Sequence, residues 1–164
     1  VERYLKRNGG EHCILRLAKV YGEELADGSL FTGFLKQIES EKALRCASDQ
    51  RFSPIYVFDV CDAILRVVKT NLRGTYHLAG PQGLSRLECL NTIAKVLRRH
   101  KKVKIQIEPC SIHDFPLSEP RPVDVSMRPD KLVQATGLRL QTVLQSCERI
   151  VSSYMLNVKP NGHL

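Results

Sequence analysis

Apolar and polar positions recur along this chain with two different periods, and the switches between them divide it into strands and helices. Residues 13–22 (CILRLAKVYG) carry apolar side chains on both faces, as a strand inside a parallel sheet does, and Gly22 ends the run. Leu30, Phe31, Phe34, Leu35 and Ile38 then recur at helical spacing before the charged stretch from Glu39 to Lys42. A further strand is expected from Ala43 to Cys46. From Gln50 the chain reads as a short extended segment closed by Pro54, followed by a helix whose Val57, Val60, Cys61, Ile64, Leu65 and Val68 form one apolar face. A strand from Gly74 to Gly80 comes next. Ser85 and Glu88 stand at the spacing of a capping box, which predicts a helix from about Ser85 to Arg99 with Leu87, Leu90, Ile93, Ala94 and Leu97 along one side. Val103 to Ile107 alternates as an edge strand does.

The stretch from Glu108 to Pro122, broken by Pro109, Pro116 and Pro120, is read as a long irregular connection, a kind of segment that often carries function. A short helix is expected near Ser126, stopped by Gly137, and Leu140, Leu144, Cys147, Ile150, Val151 and Tyr154 mark a last amphipathic helix. Residues 1–156 form one expected unit and 157–164 a flexible tail. Strands alternating with helices predict an α/β fold with a mainly parallel sheet. Ligands of such sheets bind at the carboxyl ends of the strands, here around Tyr21, Gly22 and Gly80. Val1 to Leu5 reads as helix interior closed by Gly9 and Gly10, and the element is expected to begin upstream of Val1.

Composition narrows the function classes. With 43% hydrophobic and 26% charged residues among 164, the chain can build a sizeable core. It has no run of eighteen apolar residues, so a membrane partner is not expected and the cytoplasm is the expected compartment. The six cysteines include no CxxC pair and are read as reduced thiols, mostly on apolar faces. They and the five histidines are too scattered for a metal site, and none is expected. The net charge of +8 raises nucleic acid as a partner. Its densest cluster, Arg98 to Lys104, falls at a helix end and contains no aromatic residue for base stacking, so it is read as a solvated helix terminus.

Five motifs in order carry a family resemblance. Val1 to Leu5 is similar to the end of a catalytic helix, and residues 14–22 (ILRLAKVYG) to a strand of the form I-L-R-x-x-x-V-Y-G. Residues 50–59 (QRFSPIYVFD) resemble Q-x-x-S-P-T-Y-x-x-D, with Ile55 at the threonine position, and residues 74–80 (GTYHLAG) resemble G-x-Y-H-x-x-G. Arg121, Pro122, Lys131, Leu132 and Gly137 follow the pattern of the family's ending. The chain thus resembles the extended short-chain dehydrogenases/reductases that act on nucleotide sugars, most closely the dTDP-4-dehydrorhamnose reductase branch.

The resemblance implies the C-terminal, substrate-binding half of a Rossmann-like enzyme whose N-terminal dinucleotide-binding half is absent. It implies hydride transfer from NADP or NAD to a sugar carbonyl by the full-length protein. The sequence holds neither a GxGxxG turn nor a YxxxK pair. No catalytic residue is therefore assigned, this chain alone is expected to be inactive, and tight binding of NADP or NAD to it is not expected. Arg121 is the first candidate for substrate binding, because a guanidinium fork suits a diphosphate, the alternative being an arginine packed on proline. Gln50, Arg51 and Pro54 are further candidates, or else turn residues. Tyr21 and Gly22 are expected near the cofactor. Tyr56 and Asp59 are read as packing and helix-capping groups, and His77 as a core histidine. Where the rhamnose-pathway reductases have G-N-N-F, this sequence has Gly28, Ser29, Leu30 and Phe31. A second resemblance, to the regulatory β subunit of methionine adenosyltransferase, implies an alternative in which the protein is a non-catalytic interaction module with a protein partner or a homo-oligomeric assembly.

Overall fold

The computed structural model describes residues 1–8, 10–40, 43–116 and 118–157, with only the backbone of Lys6. Its elements run α1 (Glu2–Arg7), β1 (Cys13–Leu17), β2 (Val20–Tyr21), α2 (Leu30–Glu39), β3 (Leu44–Ala47), β4 (Arg51–Phe52), β5 (Ile55–Tyr56), α3 (Val57–Lys69), β6 (Gly74–Leu78), β7 (Leu84–Ser85), α4 (Arg86–His100), β8 (Ile107–Cys110), α5 (Asp130–Thr136) and α6 (Val143–Asn157). The tail expected at 157–164 lies outside the described residues beyond Asn157.

Pairing is parallel between β1 and β6, β2 and β5, and β3 and β8, and antiparallel between β4 and β7. The expected single sheet is thus four short ladders. The reason lies in the breaks: Ala18 and Lys19 separate β1 from β2, and Ser53 and Pro54 separate β4 from β5. Proline has no N–H for a ladder. β1 runs Cys13 to Leu17 against Gly74 to Leu78, and among the described residues no strand pairs with its other edge. This corrects the expectation of a strand buried on both faces. Arg16 and Leu17 are exposed, and the Arg16 guanidinium grips Glu2 of α1 at 2.8 and 2.9 Å.

Two cores result. Phe31, Phe34, Leu35 and Ile38 of α2, Leu90, Ile93 and Leu97 of α4, and Cys147, Ile150, Val151 and Tyr154 of α6 enclose the larger one together with Tyr21 and Tyr56. The smaller one joins Ala63, Tyr76, Leu78, Leu132 and Leu138. α4 begins as its sequence predicts: the Glu88 N–H donates to Ser85 Oγ at 3.1 Å, and the Ser85 N–H to Glu88 Oε2 at 2.6 Å. α5 begins only at Asp130 and ends where Gly137 turns left-handed at φ 63°.

Two further expectations are corrected. The strand expected at Val103 to Ile107 forms instead at Ile107–Cys110, because its partner β3 starts at Leu44 and the register sets Leu44 opposite Ile107. Of the expected apolar face of α3, Val57 and Val60 pack against the cores and the rest does not. Asp59 and Ala63 turn inward, whereas Phe58, Cys61, Ile64, Leu65 and Val68 are exposed. Val57, Val60 and Val67 pack partly against the two cores, and the Asp59 carboxylate on the same side accepts the Gln141 N–H at 2.8 Å, so the helix docks on a mixed face.

Candidate functional site

Lys19, Gln50, Arg86 and Arg121 border one cavity of about 330 Å³, with Leu17, Phe52, Val125 and Met127 as its apolar walls. Backbone hydrogen bonds set each polar group in place. The Ala18 N–H donates to Leu78 O and the Ile55 N–H to Lys19 O, both at 3.0 Å, which fixes the corner carrying Lys19 between β6 and β5. The Arg86 N–H donates to Gln50 O at 3.0 Å, tying the start of α4 to the residue before β4.

The irregular connection is pinned here as well. The Arg51 N–H donates to Val123 O at 2.6 Å and the Val125 N–H to Arg51 O at 3.0 Å, so residues after Arg121 run parallel to β4. Ser53 Oγ donates to Met127 O at 2.9 Å and accepts the Met127 N–H at 3.0 Å. The Asp124 carboxylate accepts the Ser126 hydroxyl and N–H, which hold its pKa below the ordinary carboxylate value. The chain that follows Arg121 is thereby stitched to β4 and Ser53 from Val123 to Met127.

The polar heads in the cavity are unspent. Among the described residues the side chains of Lys19, Gln50 and Arg121 have no hydrogen bond or ion pair, and the Arg86 guanidinium sits 5.1 Å from the centre of the Phe34 ring. Such stacking fixes a cation without neutralising it. Arg51 is placed differently. Its guanidinium donates to Gly83 O at 2.7 Å and meets Glu88 Oε2 at 3.3 Å, bracing the cap of α4. The Ser85 N–H, the Ser85 hydroxyl and Arg51 together lower the Glu88 pKa against the opposing effect of burial. Pro54 lies against Gly80, where a Cβ would stand 1.9 Å from the Pro54 carbonyl oxygen, so backbone contact brings these two loops together.

Tyr21 and Gly22 border a second cavity, of about 320 Å³, with Glu23, Glu24, Asp27, Ser29 and Phe58. The Tyr21 ring itself is core, edge-on to Phe31 at 4.7 Å, and burial pushes its hydroxyl pKa far up. Tyr56 donates to Glu23 Oε2 at 2.9 Å, and burial followed by that carboxylate raises its pKa to about 12. Burial raises the Asp27 pKa less than the hydrogen bonds from Thr32 and Ser29 lower it. A Cβ on Gly22 would lie 2.8 Å from Asp27 Oδ2, so a larger residue there would displace the Asp27 side chain.

Sequence reasoning named Gln50 and Arg121 for the first cavity and missed Lys19 and Arg86. The available signal was position: Lys19 is a basic residue inside the apolar run of the predicted strand, and Arg86 is the basic residue directly after the helix cap.

Residues 1–156 match the family described as RmlD substrate binding domain. The chain belongs to that family. A dTDP-4-dehydrorhamnose reductase of Sinorhizobium fredii (strain NBRC 101917 / NGR234) is 25% identical over 156 residues, covering 90% of this chain and 52% of the relative. A dTDP-4-dehydrorhamnose reductase structure from Bacillus anthracis, in complex with NADP, superposes with a TM-score of 0.77 at 22% identity, over 91% of this chain and 51% of that one. The Clostridium acetobutylicum ortholog gives 0.79 at 18% identity, over 94% and 52%. This RmlD substrate binding domain chain therefore has the α/β fold of the extended short-chain dehydrogenase/reductase structures and spans about half the length of the relatives it matches.

Proposed function

We propose that the cavity between Gln50 and Arg121 binds the nucleotide-sugar substrate of an NAD(P)-dependent reductase. The observation that carries this reading is the convergence of Lys19, Arg86 and Arg121, all cationic and uncompensated by any carboxylate lining the cavity. Three cations on one concave surface suit a diphosphate. In this reading Arg121 supplies a bidentate fork, Arg86 a cation held in one orientation by Phe34, and Lys19 a point charge. Gln50 offers both a donor and an acceptor to a base edge or a sugar hydroxyl. Arg51 and Pro54 act one step removed, by fixing the α4 cap and the approach of the Gly80 loop.

The nicotinamide cofactor would supply hydride to the sugar carbonyl. Its pyrophosphate does not fit the second cavity, where Glu23, Glu24 and Asp27 repel phosphate. Tyr21 and Gly22 are assigned only to the border facing the cofactor side, and what this chain contributes to the reaction is binding and orientation. Steady-state turnover of a 4-keto dTDP-sugar by the protein as made in the cell tests the reading. Arg121→Gln is expected to raise KM about tenfold or more with a smaller change in kcat, the signature of lost uniform binding. An unchanged KM would count against it.

A further inference from the structure

Away from that site, a second concavity of about 520 Å³ opens between the end of α2, at Ile38 and Glu39, and the extended segment from Lys101 to Gln106 that follows α4. Lys101, Lys102 and Lys104 border it. Arg86 and His100 lie at opposite ends of α4, whose 15 residues span about 22 Å at about 1.5 Å each, so the two cavities sit at opposite ends of one helix.

The placement of these lysines follows from the pattern of the segment. Val103 and Ile105 pack inward against the larger core, which turns Lys102 and Lys104 together to the outside. Among the described residues none of the three lysines has an ion pair or a side-chain hydrogen bond. Among the described residues that line it Glu39 is the one carboxylate, and it accepts the Tyr154 hydroxyl. The helix end does not account for the charge either. The macrodipole acts within the last turn, which already holds Arg98, Arg99 and His100, whereas Lys102 and Lys104 lie beyond it.

We infer that this cavity is a binding site for a compact polyphosphate-bearing small molecule. Lys101, Lys102 and Lys104 border one concavity, and an anion seated in it is attracted by all three. Lysine acts on phosphate as a point charge, and no guanidinium fork lines the cavity to select a planar carboxylate. No aromatic side chain lines it either, so a base has nothing to stack on, and its volume falls in the range of small-ligand sites.

Isothermal titration of sodium tripolyphosphate into the protein as made in the cell tests the assignment. The expected result, read in R86Q/R121Q so that the cavity at the other end of α4 does not contribute, is saturable 1:1 binding that weakens as salt is raised and falls at least tenfold when K101Q/K102Q/K104Q is added. All three lysines are exposed, so a matching melting curve shows that the triple variant remains folded. A single charge reversal, Lys104→Glu, is expected to weaken binding in the same direction. Three results would overturn the assignment: no saturable binding, binding lost in R86Q/R121Q but kept in the lysine variant, or tighter competitive binding of a short single-stranded oligonucleotide. The second of these leaves the nucleotide-sugar reading intact, and loss of nucleotide-sugar binding alone leaves the polyphosphate site intact.

Discussion

Asp59 is the carboxylate on the face by which α3 docks. It is buried, 5% exposed, and burial raises its pKa although the Gln141 N–H bond opposes the rise. A raised carboxylate pKa means the folded state resists ionisation. The stability tied to this group is therefore fully present below the unfolded value of about 3.9 and declines as pH rises through the folded value. Asp59→Asn keeps an acceptor for Gln141 and removes the charge. It is expected to equal or exceed the parent in stability near neutral pH, within about 1 kcal/mol, and to lose that advantage in acid. Asp59→Ala leaves the Gln141 N–H unpaired and is expected to cost about 1–3 kcal/mol. Urea titrations at two pH values check both. A parent that gains on Asp59→Asn as pH rises would contradict the assignment.

At the scale of elements, the loops around the candidate site are held by backbone contacts whose removal has calculable effects. Gly80→Ala drives a Cβ into the Pro54 carbonyl, which neither loop can yield without breaking the Gly80 N–H bond to Ser53 O at 3.2 Å. The expected loss is about 1–3 kcal/mol or more. Ser85→Ala removes one half of the α4 cap and is expected to cost about 1 kcal/mol. Thermal melts of the two variants should rank them in that order, and a neutral Gly80→Ala would show that the loops do not meet as described. α4 and its cap were legible in sequence because Ser85, Glu88 and the spacing of Leu90, Ile93 and Leu97 all agree. The face of α3 was legible only at Val57 and Val60, because periodicity reveals which residues share a face but not how far that face is covered. Asp59 turns inward on the same side as Ala63 and meets Gln141, eighty-two positions away. The same limit hid Arg86 and Lys19, which join Gln50 and Arg121 only through the long-range bonds that close the cavity.

The whole molecule carries an apolar surface that its described elements leave uncovered. Phe58 (57%), Leu65 (58%) and Val68 (72%) are exposed along α3, Leu17 (50%) is exposed on β1, and the outer edge of β1 is unpaired among the described residues. Open edges and apolar patches promote association. The 164-residue chain by itself is expected to self-associate, and Leu65→Lys with Val68→Lys to reduce that association, as read by size-exclusion chromatography with light scattering. A monomer that melts cooperatively would contradict this. For the nucleotide-sugar cavity, equilibrium titration of a dTDP-sugar into the parent protein and into R86Q/R121Q is the most direct test. At about 1.5–3 kcal/mol for a charge-assisted hydrogen bond, each substitution is expected to weaken binding about 10- to 100-fold. Equal affinity in the two proteins would place the ligand elsewhere and contradict the account.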